Sequence, residues 1–342
     1  MKILYAIQGT GNGHISRARD VIPILEQYGE VDVLISGTQA DVNLDCKIKY
    51  QFHGLSFVFG KRGGVDFFKT LKQVKCLRFL SEIWNLKVAQ YDLVINDFEP
   101  VSAWVCMLKA KKCIGLSHQS AVVHPFSPKP IKTDWLGYLV LKYYAPVNNS
   151  YGFHFRTYAD RIYNPVIRQE IRNLETREDD FYTVYLPAYS DERIIKILSK
   201  FKVHFKVFSK HSKVKSQCDN IEIIPIDNRL YLKSLAKCKG VICGAGFEGP
   251  AEALFLQKKL LVIPMKGQYE QQCNAAALEK MGVKVIESLK ASSKKGLDDF
   301  FNSNEKVNVN YPNQTDEIIR KLVFENVASG YVVTTDSFSF SR

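Results

Sequence analysis

Apolar and polar positions alternate along this chain with two different periods. Lys2 to Ile7 is an unbroken apolar run of β character, glycines interrupt it, and Ile15 to Tyr28 then repeats its apolar residues at helical spacing. Val31 to Ile35 reads as a second strand and Leu93 to Asn96 as a later one. A helical Val101 to Ala110 follows, and Cys113 to Leu116 returns to strand character. Strands alternating with helices predict a parallel sheet with helices on both faces.

The order then breaks. His124 to Asn149 is rich in Pro and aromatics and reads as an irregular, partly helical insertion. Asn164-Pro165 through Asp179-Asp180 is polar and charged, as a linker is. The alternation restarts with strands at Phe181 to Leu186, His204 to Phe208, Ile221 to Ile224, Gly240 to Cys243 and Leu260 to Ile263, and with a helix at Asp191 to Ser199. Two α/β domains are expected, 1–163 and 164–328, followed by a Ser- and Thr-rich tail, 329–342, read as a poorly ordered end. The length agrees, since 342 residues suit two domains of roughly 100–200 residues with a cleft between them.

An apolar fraction of 46% with 24% charged residues excludes a disordered or fibrous chain. The 47 Lys and Arg against 35 Asp and Glu leave a net charge of +12, which favours anionic partners such as nucleotides, nucleic acid or an acidic membrane face. The eight cysteines are scattered without a CxxC pair, so buried free thiols are expected, with neither a disulfide framework nor a zinc site. No apolar stretch reaches about 18 residues and the N-terminal run is too short for a signal peptide, which predicts a cytoplasmic protein.

Two glycine turns carry the candidate chemistry. Gly9-Thr10-Gly11-Asn12-Gly13-His14 leaves the first strand and opens a helix, where free N–H groups and the helix dipole favour an anion or a polar ligand. A dinucleotide fingerprint is disfavoured: His14 stands where the third glycine belongs, and Ser36-Gly37, not an acid, follows the second strand. His14 at a strand-to-helix turn faces the crevice where such sheets bind ligands.

The second turn runs Cys243-Gly244-Ala245-Gly246-Phe247-Glu248-Gly249-Pro250-Ala251-Glu252. Gly244, Gly246 and Gly249 expose backbone N–H groups at a helix start suited to a diphosphate, and Pro250 fits the first turn. Glu252, one short turn further in, is within reach of a ribose on that diphosphate. After the strand Leu260 to Pro264, Gln268, Glu270, Gln271, Gln272 and Asn274 cluster at another strand-to-helix turn. Amides and a carboxylate in that place suit hydrogen bonds to sugar hydroxyls.

Residues 240–282 resemble the donor-binding signature of the two-domain (GT-B fold) UDP-glycosyltransferases, which include plant and mammalian enzymes and the N-acetylglucosaminyltransferase of the peptidoglycan lipid intermediate. The resemblance implies two Rossmann-like domains facing a cleft, and a nucleotide-sugar as substrate with no cofactor. It places the pyrophosphate on Gly244 to Gly249, with Ala245, Phe247 and Glu248 in that turn. The ribose falls to Glu252 and the transferred sugar to Glu270-Gln271 before Asn274-Ala275. The GxGxGH loop, Gly11, Asn12 and Gly13 included, is similar to the family's acceptor-side loop. Asp97, after the strand Leu93 to Asn96, holds the place of an Asp that pairs with the loop His. Gly244 departs from members that open the pyrophosphate loop with His or Arg. No Trp is evident to stack on the base, which is expected instead against Ile223-Ile224-Pro225.

What this implies is an inverting, metal-independent transferase. His14 would act as general base, Asp97 would orient it, and His118 is a candidate acceptor contact or reserve base. Glu99 reads as a solvent-exposed carboxylate at a helix start. A lipid-linked or cell-envelope acceptor is one expectation, and the acceptor itself is unknown. Two rivals stand: a non-hydrolysing UDP-sugar 2-epimerase, and a nucleic-acid-binding protein suggested by the eight cations of 193–215. Those cations are interleaved with apolar residues as on solvated faces, and no RNA-binding signature appears, so nucleic acid is not expected as a partner. Finally, Val65 to Trp84 reads as a helix with Phe67, Leu71, Val74, Leu77, Leu80 and Trp84 on one stripe beside Lys69, Lys72, Lys75 and Arg78. That pattern fits either the inner face of a cell membrane or a core-facing helix.

Overall fold

The computed structural model describes residues 1–10, 12–37, 44, 46–55 and 76–327. Two seven-stranded sheets form two domains. In the first sheet the spatial order is β3 (Ile48–Phe52), β2 (Glu30–Ser36), β1 (Lys2–Gln8), β4 (Leu93–Asp97), β5 (Ile114–Ser117), β6 (Asn149–Phe153) and β7 (Ile162–Tyr163). Every neighbouring pair in it is parallel. The second runs β10 (Ser216–Cys218), β11 (Ile221–Pro225), β9 (His204–Ser209), β8 (Asp179–Tyr185), β12 (Cys238–Gly244), β13 (Lys259–Ile263) and β14 (Lys284–Val285). Only β10 is antiparallel to its neighbour. Both are doubly wound sheets whose order reverses beside their first strand, and such sheets bind ligands at the carboxyl ends of the strands at that switch point.

The central strands are continuous apolar runs because helices cover both faces. Ile3, Tyr5 and Ile7 of β1 pack with Ile15, Ala18 and Val21 of the helix Asn12–Leu25 on one side, while Leu4 and Ala6 meet Val101 and Val105 on the other. Strands that periodicity leaves unread are short and half polar. β3 and β10 lie on sheet edges, and Asn149-Ser150 makes β6 look like loop.

Two expectations are corrected. The helix Thr315–Asn326, which falls in the second domain by sequence, packs on the first: it lies against the helix Asn12–Leu25. Arg161 Nη2 donates to Glu325 at 2.8 Å, and Asn326 Nδ2 donates to the Tyr151 hydroxyl at 3.0 Å. Glu99 starts a helix as expected but is fully buried. Its carboxylate accepts from Val101 and Ser102 N–H at 2.7 and 2.6 Å as the N-cap of Pro100–Leu108, because the cap faces the sheet rather than water.

Of the basic amphipathic stripe, 65–75 lies outside the described residues, as do Gly11 and the tail 328–342. In the helix Cys76–Asn85, Leu77 and Trp84 are each 85% exposed and Leu80 56%. Ile83 and Phe79 supply the core contact instead. The apolar stripe is therefore the outer face of this helix. Among the described residues no helix is long and apolar enough to cross a membrane.

Candidate active site

The carboxyl ends of both sheets meet across one cleft. From the first domain come the turn after β1, the end of β4 and the start of the helix His118–Val123. From the second come the turns after β12 and β13. A cavity of about 290 Å³ lies between them, with His14, Phe98 and Gln119 on one side and Gly246, Glu270 and Gln271 on the other.

Asp97 ends β4 with no exposed surface. The chain turns at Phe98, whose φ of 57° is left-handed, a conformation that costs a non-glycine residue energy and clusters at functional sites. His14 Nδ1 donates to Asp97 Oδ1 at 2.8 Å, which fixes the tautomer and leaves the Nε2 lone pair toward the cavity. The Gln119 amide donates to that nitrogen at 3.3 Å and to Glu270 Oε2 at 3.0 Å. Burial works against a charged imidazole, yet the Asp97 carboxylate outweighs it and holds His14 above its ordinary value. Burial likewise opposes the Asp97 charge, and Arg17 and His14 overcome it, keeping Asp97 below the usual carboxylate range.

Arg17 is the residue that sequence reading missed. It sits one helical turn after His14, on the same face. Nη2 reaches both Asp97 oxygens at 2.8 Å, and Nη1 donates to Glu248 Oε1 at 2.6 Å across the cleft. Gly13 makes room for this pair, since a β-carbon there would stand 2.5 Å from Glu248 Oε2. Asn12 opens the helix through its backbone, and its side chain lies outside the described residues.

The second turn divides its residues between two jobs. A second cavity, of about 150 Å³, is bordered by Gly244, Gly246, Gly249, Tyr185, Tyr189 and Tyr231. A β-carbon at Gly246 or Gly249 would meet nothing within 4 Å, so open space adjoins the start of the helix Glu248–Phe255. Ala245 and Phe247 face inward. The Ala245 carbonyl accepts from Asn274 at 3.1 Å, and Phe247 stacks on His118 with centroids 3.8 Å apart. Gln268, Glu270 and Gln271 border the larger cavity as the amide cluster suggests. Burial raises the Glu270 carboxyl. Gln271 Oε1 accepts from Met265 N–H at 2.9 Å, whereas Gln268 Oε1 and Gln119 Oε1 are buried with no hydrogen-bond partner.

Three assignments are corrected. His118 is 1% exposed, with Nδ1 2.8 Å from the Phe153 carbonyl and Nε2 2.8 Å from the Asn274 side-chain amide. Burial pushes it down to about 3, and although the ring borders the larger cavity both its nitrogens are held by protein partners, so it bridges the two domains. Glu252 is 4% exposed and borders neither cavity, because Arg168 of the linker donates to both its oxygens at 2.6 and 3.0 Å. Ile224 is buried within β11 and also borders neither cavity; the aromatic wall beside the glycine turn is tyrosine. Among the described residues no three His, Cys, Asp or Glu are grouped to hold a metal ion.

Residues 1–303 match the family model described as glycosyl transferase family 1. A search of curated protein sequences finds no match. Among solved structures, MurG of Acinetobacter baumannii is 13% identical with a TM-score of 0.54, the superposition covering 94% of each chain. UGT89C1 of Arabidopsis thaliana, complexed with UDP-L-rhamnose, is 12% identical with a TM-score of 0.57, covering 97% of this chain and 96% of that one. MnaA of S. aureus, solved with UDP, is 10% identical with a TM-score of 0.60, covering 95% and 96%. At such identities the likeness is one of fold.

Proposed function

Because the chain belongs to glycosyl transferase family 1, and is thus a glycosyltransferase, we propose that it moves a sugar from a uridine diphosphate sugar to an acceptor hydroxyl with inversion. The observation that carries this reading is the His14–Asp97 pair, 2.8 Å apart, with its second imidazole nitrogen, hydrogen-bonded to Gln119, toward the cavity and the glycine turn on the opposite wall. His14 Nε2 takes the acceptor proton as the acceptor oxygen bonds to the anomeric carbon. The bond from that carbon to the diphosphate oxygen breaks from the opposite face, and its electron pair leaves with the nucleotide. Asp97 stabilises the imidazolium that forms.

The diphosphate lies at the start of Glu248–Phe255, where backbone N–H groups and the helix dipole meet its charge without a metal. The orphan oxygens of Gln119 and Gln268 accept from sugar hydroxyls, beside Glu270 and Gln271. The uridine nucleotide is argued from MnaA and UGT89C1, whose structures hold UDP and UDP-L-rhamnose. The exposed Leu77, Leu80 and Trp84, with the net charge of +12, support peripheral contact with the inner face of the cell membrane and a lipid-linked or envelope acceptor.

The test begins with thermal shift against UDP, dTDP and GDP sugars, since only ligands of the native state raise its melting temperature. Turnover with the donor so identified is then measured with EDTA present, and the product anomer is assigned by NMR. A 2-epimer formed without acceptor, or a retained anomer, overturns the reading. His14→Ala is expected to lose on the order of 10²–10⁴-fold in rate with donor affinity kept.

A further inference from the structure

We propose that Arg17 is a positioning residue for sugar transfer: it holds the Asp97 carboxylate that orients His14, and its second arm ties that dyad to Glu248 of the donor-side turn. The proposal rests on the assignment of His14 as base. Arg17 is 2% exposed and its guanidinium spans both partners, 2.8 Å from each Asp97 oxygen and 2.6 Å from Glu248 Oε1. Its face lies over the Phe153 ring, 5.6 Å from the centroid, which leaves little freedom to swing.

One arm alone would be a structural ion pair. Two arms on opposite domains make the setting of the base depend on where the donor turn stands. Glu248 sits in the first turn of the helix whose N-terminus faces the open space beside Gly246 and Gly249. An uncompensated carboxylate there would repel a diphosphate, so Arg17 also neutralises that position. Seating of the donor turn thus aligns Asp97, and Asp97 aligns His14. A rigid fork with donors in two directions does this; a single ammonium point charge does not.

The groups around His14 set the readout. Asp97, Arg17 and Glu248 act on it directly. Glu270 and His118 face the same space, with Gln119 hydrogen-bonded to Nε2, and Tyr5 adjoins Asp97 and Arg17. Arg17 disfavours the imidazolium and Glu248 favours it. Removing the cation therefore moves the acidic limb of the kcat profile to higher pH, and removing the anion moves it to lower pH.

The experiment compares Arg17→Gln, Arg17→Lys and Glu248→Gln with the wild-type chain, using UDP affinity by calorimetry, melting temperature, and kcat against pH with the donor identified above. Arg17→Lys keeps the charge and guards against misfolding of Arg17→Gln. Both Arg17 variants are expected to lose up to about a hundred-fold in kcat, as for a slightly misplaced catalytic group. Arg17→Lys keeps UDP affinity within about threefold, whereas Arg17→Gln also weakens UDP because Glu248 is left uncompensated. Arg17→Gln and Glu248→Gln are expected to shift the limb in opposite directions, which a merely structural role would not do. Wild-type kcat in Arg17→Lys, or limbs that do not separate, overturns the proposal while His14→Ala remains inactive. If His14→Ala is itself fully active, the base assignment is what has failed.

Discussion

His118 lies flat on Phe247, ring centroids 3.8 Å apart and planes 7° from parallel, so a helix start of the first domain rests on the donor-side turn of the second. The contact bridges the two walls of the cleft. A stacked ring with both nitrogens hydrogen-bonded to protein oxygens acts through packing.

His118→Ala is expected to destabilise the protein by about 1–3 kcal/mol, since Asn274 and the Phe153 carbonyl lose a buried partner. His118→Phe keeps the stacking and should recover about 0.5–1.5 kcal/mol of that loss. Neither variant should move the acidic limb of kcat. Calorimetric melting together with the pH profile checks this, and a limb that moves would return His118 to proton transfer.

Stability against pH follows from the His14–Asp97 pair. His14 is raised above 6.5 in the folded chain, so its contribution is complete below 6.5 and is lost as pH rises through the folded value. Asp97 is lowered below 3.8, so its contribution is present above 3.8 and is lost as pH falls through the folded value. The melting difference between wild type and His14→Ala should therefore be greatest between 3.8 and 6.5 and shrink as pH rises from 6.5 through the raised His14 value. A difference that stays flat over that range would sink the ionic pairing.

The pair of Glu252 with Arg168 changes what a substitution there should do. Their side chains are 5% and 12% exposed, so Glu252→Ala leaves the buried Arg168 with only the more exposed Glu170 as counter-charge, at a cost of up to about 3–5 kcal/mol. Glu252→Met combined with Arg168→Met should be more stable than Glu252→Ala, because both buried charges are then removed together and the charge that remains, Glu170, is more exposed. Thermal melts of the three proteins decide it. A stable Glu252→Ala with weakened UDP binding would restore Glu252 as a ribose ligand.

Contact with a membrane has a direct test. Leu77→Glu with Trp84→Glu alters only exposed positions, so melting should change little. Co-sedimentation with vesicles containing phosphatidylglycerol should fall, with neutral vesicles binding less from the outset. Equal binding of wild type to both vesicle types, or to neither, would remove the stripe from the account.

The sequence makes some levels legible and hides others. The β1 and β12 turns were readable because an apolar run ending in glycines before a helical pattern is a local signal. His14 and Asp97 were found through the turn and the strand that carry them. Arg17 was not, because its meaning depends on Glu248, 231 residues away. The same distance effect misled the reading of Glu252 and His118. Each has the residue type of a ligand, and each is spent on a partner, Arg168 or Asn274, that no local spacing connects to it. The stripe of Leu77, Leu80 and Trp84 was visible, but which way it faced depended on Ile83 and Phe79 filling the core instead.

The return of Thr315–Asn326 to the first domain bears on how the chain is made. Its partners Tyr151 and Arg161 precede Asn326 and Glu325 by 175 and 164 residues. At bacterial or eukaryotic elongation speeds of about 5–20 residues per second, that is a delay of roughly 8 to 35 seconds. Through this interval the nascent first domain has its sheet but lacks one of its covering helices, with the face of Asn12–Leu25 that this helix covers still open to water. A chaperone that recognises exposed apolar surface has its window there, and a premature stop before residue 315 should release a protein defective in the half that was synthesised first.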